Sequence, residues 1–231
     1  MNDIKINLPS EFPLPPGASV DKFSVKHDTA ANKLTVSATV LLQSVYELHN
    51  PVDDAMAKTP GGKKYVVGLA VPKTATALLQ ALKANSDALM VADGQKGPYP
   101  NCIKDGATKD GSNLFVKAGG AWQDWGYWSV KSKRCPVITR KESDQVIEVP
   151  AAEAIAGTWA IVLFDIIAIG YGDKGGNKRG TSAWMSRIHL LGGGKPIQGG
   201  GRTDDTDFMA MVEAAGSGAT ATAAPAATAL F

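Results

Sequence analysis

Eleven of the chain's 25 glycines fall between residues 170 and 201, and they bracket an unbroken alternating segment, Thr181–Leu191 (TSAWMSRIHLL). Glycine at this density points to many turns and short elements. Alternation with period two is the mark of a strand with two unlike faces. Read that way, Trp184, Ser186, Ile188 and Leu190 share one face, and Met185, Arg187 and His189 share the other. Just upstream, Gly157–Ile169 is apolar enough for a central buried strand or strand pair. Strands joined by glycine-rich turns therefore set the frame for the rest of the chain.

Other segments fit that frame. Leu34–Leu42 and Tyr65–Val71 are β-branched and read as strands, the second ended by Pro72; Asn113–Ala118 and Gln145–Val149 read the same way. Thr74 to Ala84 (TATALLQALKA) is the best helix, with Thr74 as N-cap and Ala77, Leu78, Ala81 and Leu82 on one apolar face. Asn50–Lys64 and Asp93–Ser112 read as loops, and residues 1–19 as an extended, Pro-rich arm. One helix among six or seven short strands predicts a small β-barrel or sandwich with an inserted helix.

The apolar run Ala154–Tyr171 is no membrane span. It falls short of the roughly 20 residues required, and Asp165 at mid-span would cost about 2.5–3.5 kcal/mol. No membrane association is expected. The opening MNDIKINLPSEF lacks a basic segment followed by an apolar one, so no secretory signal is expected. The two cysteines, Cys102 and Cys135, are too few for a structural zinc site and are expected as reduced thiols in the cytoplasm.

Charge is unevenly distributed. All 24 Lys and Arg lie at or before Arg202, whereas four of the 22 acidic residues follow it, so residues 1–202 carry +6 and residues 203–231 carry −4. A basic body points to a polyanionic partner, and an acidic tail to a competitor for it.

Enzyme signatures fail. His27, His49 and His189 are far apart, with no metal-ligand spacing, and no nucleophile elbow, zincin or Walker motif is present. Gly170-Tyr171-Gly172-Asp173-Lys174-Gly175 matches a dinucleotide fingerprint by letters, but a polar, helix-breaking segment follows it and no acidic residue stands at the required distance. It reads as a hairpin loop. No catalytic residue, metal or cofactor is expected, and the chain is not expected to be an enzyme.

Two clusters combine rings with cations, the pairing needed to stack bases and neutralise phosphates. The first is Trp122, Trp125, Tyr127 and Trp128, followed by Lys131, Lys133 and Arg134. The second is Tyr171 with Lys174, Lys178 and Arg179, near Trp184 and Arg187. Any one of the tryptophans could instead fill the core, since large aromatics are mostly buried. Lys63, Lys64 and Lys73 would extend the basic surface.

From Gly180-Thr181-Ser182-Ala183 onward, through Gly194-Lys195-Pro196-Ile197, Gly199-Gly200-Gly201-Arg202 and an acidic stretch closing on Phe208, the chain resembles the C-terminal part of a family of bacteriophage single-stranded DNA-binding proteins with an OB-fold. ALLQALKA at residues 77–84, Ile103-Lys104-Asp105-Gly106, Asn113–Lys117, Arg134-Cys135-Pro136-Val137-Ile138 and Gly157–Tyr171 resemble upstream pieces in the same order. Where family members tend to have a small residue and Asn, this chain has Trp184 and Met185. Over residues 22–208 the resemblance implies a mainly β protein with one or two helices, an OB-fold-like small β-barrel with an inserted helix. Beyond Gly216 the chain is Ala, Thr and Pro with little bulk until Leu230 and Phe231, which reads as a disordered C-terminal tail. The expected division is an extended arm at 1–20, a DNA-binding domain at 21–208 and a flexible, mildly acidic tail at 209–231.

The function so implied is sequence-independent coating and protection of single-stranded DNA in phage replication, recombination and repair. A phage structural or assembly protein is the alternative, and an RNA-binding protein a second one. Asp204, Asp205, Asp207, Glu213 and the terminal Phe231 are the expected contacts for replication proteins, and a homodimer is compatible with the sequence.

Overall fold

The computed structural model describes residues 12–54, 62–94, 101–108, 122–171 and 178–197. Five long strands carry the architecture: β2 (Lys33–Ser44), β4 (Lys63–Pro72), β6 (Trp125–Ser132), β9 (Trp159–Tyr171) and β10 (Lys178–Gly192). They are hydrogen-bonded in the order β6-β4-β2-β9-β10, and β10 pairs back onto β6 to close the ring. The four pairings along that order are antiparallel, and the closing β10–β6 pair is parallel. Numbered along the chain, this is the 1-2-3-5-4 order of an OB-like fold.

Five shorter strands extend the ring. β1 (Phe23–Asp28) pairs with β2, and β3 (Val52–Asp53) with β4. β5 (Lys104–Asp105) pairs with β6, and the hairpin β7 (Val137–Glu142) and β8 (Gln145–Glu148) docks on β10. Strands thus outnumber the six or seven expected, because two-residue ladders leave too little pattern to be read.

Alternation sets the core. Leu34, Val36, Ala38, Val40 and Leu42 of β2 point inward, with Val67 and Leu69 of β4, Val130 of β6, Val162, Phe164 and Ile166 of β9, and Ala183, Met185 and Ile188 of β10, all buried. The step from Met185 to Ile188 is three residues, because a register shift between Met185 and Arg187 inserts one extra residue. That bulge corrects the strict period-two reading: Trp184 shares its face with Arg187 and His189, not with Ile188.

The helix between β4 and β6, α2 (Thr76–Ala92), is longer than predicted and starts later, with Ala75 rather than Thr74 at its N-cap. Its second half runs through the weak formers Asn85, Ser86 and Asp87. A Lys83–Asp87 pair at 2.8 Å supports that turn, and Leu89 and Met90 are buried beyond it. Ala77 of the expected apolar face is exposed; Leu78 and Leu82 are buried. The expected strand at Asn113–Ala118 lies outside the described residues.

Candidate nucleic-acid interface

The tryptophans divide by burial. Trp125 is fully buried and Trp128 is 2% exposed. Trp125 meets the edge of Phe12 at 6.0 Å and packs on Trp159 at 6.2 Å, whose indole Nε1 donates to the Phe12 carbonyl at 3.2 Å. Trp128 packs on Phe164 at 6.0 Å. Both rings are core, which corrects the expectation that they stack on bases. Trp128 lies on the inward-facing alternate of β6 and helps fill the ring, whereas Trp125, two residues before Tyr127, lies on the other face and is covered by Phe12 and Trp159. Trp122 opens a 3-10 turn ahead of β6 and so lies outside the strand that carries the other three rings of its cluster.

What remains on the outer face of β6 is Tyr127, Ser129 and Lys131, since each step of two keeps the face. Opposite them on β4 stand Ala70, Gly68 and Val66. On β10, Trp184 stands opposite Lys131 across the parallel seam. Lys131, Tyr127 and Trp184, drawn from both predicted clusters, thus come onto one surface. Ser132, Lys133 and Arg134 continue it around the β6–β7 turn, and Lys133 and Arg134 are exposed.

Three hollows run along this surface. One of about 250 Å³ lies over Gly68 and Ser129. The next, about 380 Å³, shares Ser129 and adds Lys104, Tyr127, Lys131 and Ser182. The third, about 600 Å³, is lined by Lys133, Arg134, Cys135, Trp184 and Ser186. Together they form a groove across β4, β6 and β10.

Its cations are available. Ion pairs among the described residues occupy Lys33, Lys63, Lys73, Lys83, Arg140 and Lys141, whereas Lys104, Lys131, Lys133, Arg134 and Arg187 take part in none. The expected contribution of Lys63 and Lys73 is corrected on this ground. Lys63 donates to Asp53 at 2.7 Å and holds that carboxyl below its usual range. Lys73 lies 2.6 Å from Asp105, and its hydrogen bond lowers that carboxyl in the same way. A larger hollow of about 990 Å³ beside α2 contains Lys73 and Lys83 with their partners Asp105 and Asp87, so most of its charge is internally neutralised.

Asp165 is the one carboxylate facing Trp184 across the β9–β10 ladder. It accepts from Thr35 Oγ1 at 2.7 Å and from Lys33 Nζ at 3.0 Å. That neutralisation lets an anion approach the neighbouring ring.

Cys102 lies in the middle hollow. Its backbone N–H donates to Thr181 Oγ1 at 2.9 Å, and burial pushes its thiol up. Two residues that sequence reasoning missed also belong here: Lys104, read only as part of a turn, and Tyr46, a ring that is 71% exposed at the groove's far end. Neither stands in a cluster of like residues, so only the fold brings them to the site. Lys174 and the tail residues Asp204, Asp205, Asp207, Glu213 and Phe231 lie outside the described residues, as do the side chains of Trp122, Tyr171, Lys178 and Arg179. Tyr171 ends β9 and Lys178 begins β10, so the segment holding Lys174 joins those two strands.

Among the described residues no group of three or more His, Cys, Asp or Glu is placed to hold a metal ion, and no helix is long and apolar enough to cross a membrane.

No protein-family model matches the chain, and no curated protein sequence matches it significantly. Solved structures do match. The single-stranded DNA-binding protein from bacteriophage Enc34 in complex with ssDNA is similar with a TM-score of 0.52 at 16% identity, over 82% of this chain and 100% of that one. A C-terminal truncation of the Enc34 protein gives 0.52 at 16% identity, over 82% and 99%. A further structure of that protein gives 0.51 at 18% identity, over 85% and 98%. The resemblance read from the sequence is therefore met in three dimensions: the chain has the fold of the bacteriophage Enc34 single-stranded DNA-binding protein.

Proposed function

We propose that the protein binds single-stranded DNA without regard to sequence, along the groove across β4, β6 and β10. The observation that carries this reading is the joining of exposed or half-exposed rings, Tyr127 and Trp184, to the unpaired cations Lys104, Lys131, Lys133 and Arg134 on one face of a closed OB-like ring. In OB-folds the face of the second and third strands and the loops between strands 1–2 and 4–5 receive oligonucleotides. Here those strands are β4 and β6. The fold is shared with a protein whose structure was solved with ssDNA bound.

Stacking on a flat ring needs an unpaired base, so duplex is a poor ligand. Coating of this kind protects single strands and removes hairpins with no chemistry, and serves phage replication, recombination and repair. The DNA-binding domain spans residues 21–208. The acidic tail competes for the groove, and Phe231 anchors replication proteins.

Binding of a labelled oligonucleotide, single-stranded against duplex, across a salt series tests the reading. Strong preference for the single strand is expected, with log affinity falling by about 0.7 per log salt for each phosphate neutralised. Equal affinity for duplex, or a constant independent of salt, overturns it.

A further inference from the structure

The hollow over Gly68 differs from the rest of the groove. Its described lining contains no Lys or Arg; it presents instead the Gln43 amide, the hydroxyls of Ser44 and Ser129, and the Glu47 carboxylate. The Glu47 side chain takes part in no hydrogen bond or ion pair among the described residues. A carboxylate without a cation repels a phosphate, so this end of the groove is unsuited to the DNA backbone. It has the chemistry to meet the edge of a base.

A ring stands beside it. Tyr46 opens α1 (Tyr46–His49), the single turn that follows β2. This turn is pinned: Leu48 is 1% exposed, His49 Nε2 donates to the Ala151 carbonyl at 3.0 Å, and Asn50 donates to the Tyr46 carbonyl from its backbone N–H at 2.9 Å and its Nδ2 at 3.2 Å. An exposed aromatic on a fixed backbone loses little freedom when it stacks. Gly68 makes the floor. A Cβ there would lie 2.8 Å from Gln43 Oε1 and 3.1 Å from Ser44 Cβ, so the glycine leaves room for those side chains to lie across the strand where they stand.

The neighbouring register places the rest of a nucleotide. Val66 in this hollow stands opposite Lys131, and Gly68 opposite Ser129. A phosphate held at Lys131 leaves its base within reach of the hollow.

We infer that the hollow formed by Tyr46, Glu47, Gln43 and Gly68 is a base subsite that stacks one base on Tyr46 and selects a base with an exocyclic amino group through the Glu47 carboxylate. This rests on the single-stranded DNA reading and adds a graded base preference to it. Cytosine presents the 4-amino donor that a carboxylate accepts; uracil and thymine present a carbonyl there, which Glu47 repels.

The test uses the full chain and labelled oligonucleotides of about 12 residues, all deoxycytidine or all deoxyuridine, which differ at the 4-position without the complication of the thymine methyl group. The wild type should bind the deoxycytidine strand about five- to tenfold tighter. Glu47→Ala should bring that ratio to about one by strengthening the deoxyuridine complex, with the melting temperature unchanged. Tyr46→Ala should weaken both complexes at least fivefold by the loss of a stacked base. Equal wild-type affinity for the two strands, or a ratio that survives Glu47→Ala, overturns the subsite while leaving the DNA reading in place. Failure to bind either strand removes the DNA reading and the subsite with it.

Discussion

Trp184 of β10 and Lys131 of β6 stand directly opposite each other across the parallel seam that closes the ring. They are 53 positions apart in the chain, and a parallel pairing between strands so distant requires the whole intervening β9–β10 connection to be in place. The seam therefore brings a ring and a cation side by side, the pairing the proposed binding of a single strand calls for, at the point where the sheet closes on itself.

Replacing Trp184 with Ala should cost about 1–3 kcal/mol of oligonucleotide affinity with little change in melting temperature. Trp125→Ala should do the reverse. That ring is fully buried between Phe12 and Trp159, and truncating it should destabilise the fold by about 3–5 kcal/mol while the folded fraction keeps its affinity. Thermal melting and fluorescence titration on both variants separate the roles, and like behaviour of the two would show Trp184 to be structural.

Lys131, Lys133 and Arg134 should each contribute to the salt dependence. Changing any one to Ala should reduce the log–log slope by about 0.7, and Lys63→Ala should leave it nearly unchanged, because Lys63 is engaged with Asp53. Titrations at four or five salt concentrations give the slopes. Equal loss from Lys63 and Lys131 would place the strand elsewhere.

Cys102 provides a footprint. Burial raises its thiol above the usual range, so it stays protonated through neutral pH and alkylates slowly there. Because the folded state holds the proton more tightly than the unfolded one, this group's stabilisation is complete below the unfolded thiol range. It is lost as pH rises through the raised value in the fold. Iodoacetamide labelling followed by mass spectrometry should therefore show a rate that climbs only at alkaline pH. Bound oligonucleotide should slow labelling of Cys102, which lines the middle hollow. Labelling unaffected by saturating DNA would remove that hollow from the path.

Much of the fold was legible in the sequence, because burial on one face imposes period two on β2, β9 and β10. The helix boundary was not. Asn85, Ser86 and Asp87 are poor helix formers held in place by the packing of Leu89 and Met90, a tertiary effect. The aromatic cluster illustrates the harder problem. Tyr127 and Trp128 are adjacent letters, yet one lines the groove and the other fills the ring, and composition cannot say which. The bulge near Ser186 adds one residue to β10 and moves Arg187 to the side of Trp184, a change that no alternation count reveals. Tyr46 and Lys104 reach the site through the β2–β4 and β5–β6 pairings, so their roles are topological.

The acidic tail gives the last expectation. After Arg202 every charged residue is negative: Asp204, Asp205, Asp207 and Glu213. Tethering to the chain that carries Lys131, Lys133 and Arg134 would, on the proposed role of the tail, let these anions compete with DNA phosphates at an effective concentration far above that of a free peptide. Truncation after Gly201 should tighten oligonucleotide binding roughly three- to tenfold at low salt. The gain should vanish near 1 M salt, where the Debye length falls to about 3 Å. The melting temperature should hardly move, and, on the proposed role of Phe231, capture of replication proteins should be lost. Two controls sharpen the outcome. Neutralising the four acids to Asn and Gln should reproduce the gain in affinity while keeping partner capture, and Phe231→Ala should do the opposite. A truncated protein with unchanged low-salt affinity and intact partner binding would show the tail to have neither role.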